Sequence, residues 1–126
     1  MNKHGDICFS WEGELLTLIV KGPFNEEGFD YYISLIRKSV LNRSINHWKR
    51  LEIWDDEVMA SPNVVDKCRV IHDWYEKNGC ILSAVVVSNN MQALLLKKSV
   101  KTNAEIFTKI EDSKEWFKRQ SAKAVK

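Results

Sequence analysis

The seven residues Ile81-Leu82-Ser83-Ala84-Val85-Val86-Val87 carry no charge and are rich in β-branched side chains. Polar positions do not alternate with apolar ones along this run, which predicts a strand covered on both faces. Asn78-Gly79 precedes it and Ser88-Asn89-Asn90 follows it, both turn-forming groups. A strand of this kind belongs in a parallel sheet with helices packed on it.

The rest of the chain supplies the partners. Asp6 to Trp11 and Glu14 to Val20 read as strands joined at Glu12-Gly13, a hairpin signal because glycine accepts the positive φ of a primed turn. The first alternates and should be the edge; the second is nearly continuous in apolar residues and should lie deeper. After Gly22-Pro23, Asn25 is a good N-cap with Glu26 and Glu27 in the first turn. Phe29, Tyr32, Ile33, Ile36 and Val40 then recur at helical spacing to about Leu41. Lys49 to Trp54 is a third strand with Leu51 and Ile53 on one face. Ser61-Pro62 opens a second helix with the inner stripe Val64, Val65, Cys68, Ile71 and Tyr75, and Gly79 closes it.

Beyond the apolar strand, Asn89 or Asn90 caps a third helix. With Asn89 as cap, Gln92 holds the capping-box position; Met91, Leu94 and Leu95 should face inward and Lys97, Lys98 and Lys101 outward. Ala104 to Phe107 is a short fifth strand. Asp112-Ser113-Lys114-Glu115 reads as a capping box opening a fourth helix that carries Trp116 and Phe117, and residues 118–126 form a basic tail expected to fray. The order β-β-α-β-α-β-α-β-α, without a linker or an internal repeat, predicts one domain over residues 1–126. Its class is α/β, with a mixed, mostly parallel five-stranded sheet, an N-terminal antiparallel hairpin and right-handed crossovers.

Composition narrows the function classes. The 126 residues are 44% hydrophobic and 29% charged, which favours neither disorder nor a membrane protein. Nineteen basic against seventeen acidic residues give a net charge of +2, too small an excess to imply a nucleic-acid partner. No apolar run reaches a membrane span, and the polar start lacks a signal-peptide core, so a cytoplasmic protein is expected. Cys8, Cys68 and Cys80 are odd in number and far apart, and read as free thiols. Five tryptophans supply core area or the lining of an apolar pocket.

A hairpin followed by Gly22-Pro23-Phe24 and a helix comes first. A strand ending in Asp55 and a helix opening with Ser61-Pro62 come next, then an apolar strand ending in Ser88-Asn89. The closing stretch Ile106-Phe107 to Asp112-Ser113-Lys114-Glu115-Trp116-Phe117 completes a pattern that resembles the SpoIIAA-like family. That family is related to the STAS domains of anti-sigma factor antagonists and anion-transporter tails. The resemblance implies sequential strand order, helices mainly on one side, and a regulatory or interaction module rather than an enzyme. Signalling STAS domains carry an Asp-Ser-Ser-Gly type phosphoserine motif after the third strand. Here that region reads Asp55-Asp56-Glu57-Val58-Met59-Ala60-Ser61-Pro62, and the motif is missing. Ser61 is the hydroxyl at the comparable helix start, so it is the candidate phosphorylation site, although three acids precede it and N-capping also accounts for it. Members without the motif are mostly of unassigned function, with apolar-ligand or membrane-lipid binding suggested for them; for this chain peripheral membrane contact is not expected.

Asp55, Asp56 and Glu57 lie beyond the carboxyl end of a parallel strand, where open α/β sheets bind ligands. With Ser88 and Asn89 at the exit of the next strand they make a candidate ligand or partner rim. The acids could hold Mg²⁺ through carboxylates and water, or serve as a solvated loop. This corner resembles response-regulator receiver domains only in outline, since the acceptor Asp on a middle strand is missing. Cys68 and His72, four apart on a helix, have metal-ligand spacing but no visible third ligand. There is no Gly-x-Ser-x-Gly and no glycine-rich phosphate loop, so the usual hydrolase and nucleotide-binding chemistries are disfavoured, and neither a cofactor nor a metal is expected. Phe24, Tyr31, Trp54 and Trp74 are candidates for an apolar contact surface.

The sequence therefore reads as a non-enzymatic regulatory or interaction domain that binds an apolar ligand or a partner protein, a second copy of the chain included. The alternative is a phospho- or Mg²⁺-dependent signalling module built on Asp55-Asp56-Glu57 and Ser61. A small enzyme using the same acidic mouth ranks last, because no nucleophile or histidine is placed there.

Overall fold

The computed structural model describes residues 4–59, 61–98 and 104–124. Lys101 and the last two residues of the basic tail lie outside them. The elements are β1 (Asp6–Glu12), β2 (Leu15–Lys21), α1 (Glu26–Arg43), β3 (Trp48–Trp54), α2 (Pro62–Lys77), β4 (Cys80–Val86), α3 (Asn90–Lys97), β5 (Ala104–Phe107) and α4 (Ile110–Ala124). The sheet order is β1-β2-β3-β4-β5, with β1 antiparallel to β2 and every other pair parallel. The expected mixed α/β architecture and its sequential strand order are observed. None of the described helices is long and apolar enough to cross a membrane.

Local chemistry sets the element ends. The hairpin turn falls at Gly13-Glu14, one residue later than expected, with Gly13 at φ +60° and Glu12 paired to Leu15. Positive φ at the first central position alone is the type II′ arrangement, which only glycine enters without strain. Asn25, Ser61 and Asn89 each cap a helix by accepting an amide three residues on. The fourth helix starts at Ile110, so Asp112 and Ser113 sit inside it rather than opening it. Ser113 is buried, and its hydroxyl donates to the Ile110 carbonyl at 2.6 Å.

The sheet is covered on both faces. On one, α1, α2 and α3 bury Leu18, Ile36, Trp48, Val64, Ile71, Val85 and Leu96. On the other, Leu51, Ala84 and Val86 pack with Trp116 and Phe117 of α4. β3 is therefore the middle strand and has no solvent face. Trp48, Arg50, Glu52 and Trp54 alternate toward the three-helix side, while Leu51 and Ile53 face α4. The apolar run that forms β4 lies one strand off-centre. Opposite Trp48 and Lys49 its register jumps from Cys80 to Leu82, and the extra residue, Ile81, is 45% exposed. This bulge reverses the side-chain alternation. It puts Cys80 on the same side as Ser83, where the two make a 3.3 Å contact.

On α3 the expected inward set is partly reversed. Met91 and Leu94 are 70% and 60% exposed, whereas Gln92 and Leu96 are buried and Ala93 and Leu95 half-buried. The eight-residue helix is oriented by its polar anchor at Gln92, so periodicity counted from apolar residues alone picks the wrong face.

Candidate functional site

The unusual feature of the core is a charged pair on β3. Arg50 is fully buried. Its Nη1 donates to Glu52 Oε1, and Trp54 Nε1 donates to the other carboxylate oxygen at 2.6 Å. Its Nη2 lies 3.3 Å from His72 Nδ1 on α2, and the guanidinium carbon sits 4.6 Å from the Tyr75 ring centroid. Tyr75 is held in turn by edge contacts to Trp48 and Trp74. Burial, the largest single influence, works against the charge of Arg50, but Glu52 together with Tyr75 and Cys80 outweighs it and holds the guanidinium above its ordinary pKa.

Between this cluster and helices α1 and α2 lies a cavity of about 50 Å³. A single water needs roughly 10–15 Å³ on this measure, so there is room for a few waters or a small organic group. Leu18, Phe24, Ile36, Val64 and Ile71 give it an apolar wall, and Glu52, His72, Tyr75 and Cys68 stand at its polar end. Cys68, His72 and Tyr75 share one face of α2 because they are spaced by four and three residues. Burial, with Glu52 nearby, pushes the Cys68 thiol up to about 12, so it is neutral and weakly nucleophilic. Burial and then the Arg50 charge push His72 well below the ordinary histidine value of 6.5.

The His72 shift has a measurable consequence. The unfolded chain takes up a proton at about pH 6.5 and the folded chain only at lower pH. Stability should therefore be independent of this group above that pH and fall as the pH drops below it, by up to about 1.4 kcal/mol per pH unit. Urea unfolding between pH 7.5 and 5 should show this decline. It should be absent from the difference curve if His72→Gln is compared with the wild type and His72 is already charged when folded.

A second, open depression of about 190 Å³ adjoins the cavity and is lined by Asp56, Met59, Asn89, Met91 and Gln92, among others. Val58, Met59 and Leu95 line both spaces. This is where the sequence placed its rim. Asp56 and Asn89 do meet there, while Asp55, Glu57 and Ser88 do not line it. Instead, Asp55 Oδ1 accepts the Gly22 and Glu57 amides at 3.3 and 3.1 Å, and Ser88 Oγ donates to the Trp54 carbonyl at 2.7 Å. Buried Gln92 completes the latch. Its amide nitrogen donates to the carbonyls of Asp55 and Val58, and its oxygen accepts the Ser88 amide at 2.8 Å. Gln92 is thus a tie between the β3 and β4 exits, with its side chain bonded one residue short of the expected capping-box amide.

Ser61 Oγ accepts the Val64 amide at 3.3 Å, the N-capping role. Of the four aromatic candidates, Phe24 and Trp54 line the cavity and Tyr31 and Trp74 do not. Trp54 is 6% exposed, a correction to its expected place on a contact surface: it points to the three-helix side of the sheet and is buried there. Tyr31 is exposed, and Trp74 is half-buried with Arg37 over its ring at 5.5 Å. Cys68 and His72 do line one cavity, but His72 Nδ1 is engaged by Arg50, and no group of three potential metal ligands exists among the described residues.

The residues sequence reasoning missed are Arg50, Glu52 and Gln92. The available signal was opposite charges two apart on one strand, with tryptophans two residues outside each: Trp48-x-Arg50-x-Glu52-x-Trp54.

No protein-family model matches the chain, and no curated protein matches it significantly. Among solved structures it is similar to the crystal structure of an uncharacterized DUF3478-family protein with a SpoIIAA-like fold from Shewanella loihica PV-4. The identity is 14% and the TM-score 0.63, over 92% of this chain and 96% of that one. At this identity the likeness establishes the fold, which is SpoIIAA-like as the sequence pattern implied.

Proposed function

We propose that the chain is a non-enzymatic binding module that houses an apolar small molecule, or the apolar end of a larger one, between α1, α2 and the sheet. One observation carries this reading: an apolar cavity whose polar end holds Glu52, neutralised by its pairing with Arg50, and an uncharged His72. Such a wall is fixed before a ligand arrives, and a mostly apolar concavity with a few placed polar groups is the usual form of a small-molecule site. The same groups are poorly suited to catalysis. The Nδ1 lone pair of His72 faces Arg50, both oxygens of Glu52 are engaged, and the Cys68 thiol is held neutral. The adjoining depression, with exposed Met59 and Met91, offers room for the part of a ligand that the cavity cannot enclose.

Titrating ¹⁵N-labelled protein with benzene tests this. Millimolar benzene should shift the Trp54 indole N–H and the amides of Val64 and Ile71, and Val64→Phe should abolish the shifts while the protein stays folded. Unchanged spectra at millimolar benzene would overturn the reading.

A further inference from the structure

The hydrogen-bond inventory around Arg50 runs short of acceptors. Arginine has no acceptor atom, so in its 3.3 Å contact with His72 the imidazole Nδ1 must be the accepting, unprotonated nitrogen. The single proton of the neutral ring then sits on Nε2. His72 is 8% exposed and lines the cavity, and its Nε2 is not among the buried atoms left without a partner, so it keeps accessible surface through which an acceptor can reach it. A second donor in the same cluster, Arg50 Nε, is buried without a partner. The carboxylate of Glu52 takes Arg50 Nη1 on one oxygen and Trp54 Nε1 on the other, and bonds neither of these two donors. A buried donor such as Arg50 Nε is seldom left unpaired, and the donor of this cluster that belongs to a cavity-lining residue is the His72 Nε2–H.

Charge narrows which acceptor. Arg50 and Glu52 cancel, and the Cys68 thiol is neutral, so the wall has no spare cation for an anionic head group. Such a group would also face the Glu52 carboxylate. A cationic group would approach a carboxylate already paired, with the guanidinium beside it. A neutral oxygen acceptor suffers neither penalty.

Resting on the binding reading above, we infer that the ligand presents a neutral carbonyl oxygen, as in a ketone, ester or amide, to the Nε2–H of His72 at the polar end of the cavity. The order of the wall explains the selectivity: Glu52 orients Arg50, Arg50 fixes the His72 tautomer, and His72 offers one donor. A hydrocarbon of the same shape leaves that donor unpaired, which is how polar sites reject analogues lacking the matching atom.

The test uses cyclopentanone and methylenecyclopentane, which differ by an oxygen in place of a CH₂ group, on wild-type protein with ¹⁵N-labelled histidine at pH 7.5. The free protein should show a protonated Nε2 and an unprotonated Nδ1 for His72. The ketone should move the Nε2–H resonance and bind with its C=O stretch lowered relative to hexane solution. The alkene should perturb cavity amides and leave no hydrogen-bond signature on Nε2. In His72→Leu the ratio of ketone to alkene affinity should fall by roughly two- to tenfold, the range of one net hydrogen bond. If that variant does not fold, the wild-type spectra decide alone. A proton on Nδ1, or ketone binding that leaves Nε2 unmoved while both molecules shift the cavity amides, would overturn the carbonyl inference and leave the binding module standing. If neither molecule shifts any cavity amide, both fall.

Discussion

Glu52→Leu is expected to lower the unfolding free energy by about 3–5 kcal/mol, because it strands a buried charge. Arg50 is 0% exposed on the middle strand of a sheet covered on both faces. Most buried ionisable groups escape isolation by changing protonation state, but a guanidinium cannot. In the variant it would keep the neutral contacts to His72 Nδ1, the Tyr75 ring and the Cys80 thiol but no counter-charge, and the Trp54 indole N–H would lose its acceptor as well. The loss is a large share of the roughly 5–15 kcal/mol that holds a domain folded. The paired replacement Arg50→Met with Glu52→Leu should recover most of it, since an apolar pair of similar volume avoids the desolvation penalty of both ions. Urea denaturation at pH 7 of the single and double variants checks this. A single-variant loss under about 1 kcal/mol would mean that Arg50 stays hydrated, and its role in fixing His72 would then need another basis.

This pair also marks where sequence reading stopped. Element types and order were legible because each strand and helix carries its own period and cap: Asn25, Ser61 and Asn89 announce the helices they cap. The side of the sheet on which β3 would place its charges was not. Leu51 and Ile53 form an apolar stripe, and strand charges alternating with such a stripe usually face solvent. Here the docking of α4 on that stripe and of α1 and α2 opposite leaves no solvent face, and that is a property of the assembled layers. The bulge at Ile81 is similarly invisible, because a run of apolar residues gives no parity to violate. The rim residues were placed at the right end of the sheet, but it is the chain's own amides and carbonyls that Asp55 and Ser88 serve. Gln92 passes for a capping residue until its long-range carbonyl partners are known.

Trp48→Ala should cost about 3–5 kcal/mol, the range for emptying a fully buried large aromatic site, and it should also disturb the cavity wall, one residue removed. Trp48 is 0% exposed, stands edge-on to Trp11 at 5.5 Å and to Tyr75 at 5.6 Å, and donates its indole N–H to the Asn78 carbonyl at 2.8 Å. It thus fixes the end of α2 and braces the ring that covers Arg50. Trp48→Phe keeps a ring against Tyr75 but leaves the Asn78 carbonyl without that donor, so a smaller loss is expected, about 1–3 kcal/mol. The two effects separate by measurement. Urea midpoints report the stability of each variant. In folded Trp48→Phe, the His72 Nε2–H resonance should stay near its wild-type position, whereas in Trp48→Ala it should move or broaden as Tyr75 loosens over Arg50. Trp116→Ala, on the α4 face, is the control: it should lower stability while leaving that resonance unchanged. A shift as large in Trp116→Ala as in Trp48→Ala would mean that the cavity wall responds to global loosening of the sheet rather than to the Trp48–Tyr75–Arg50 stack.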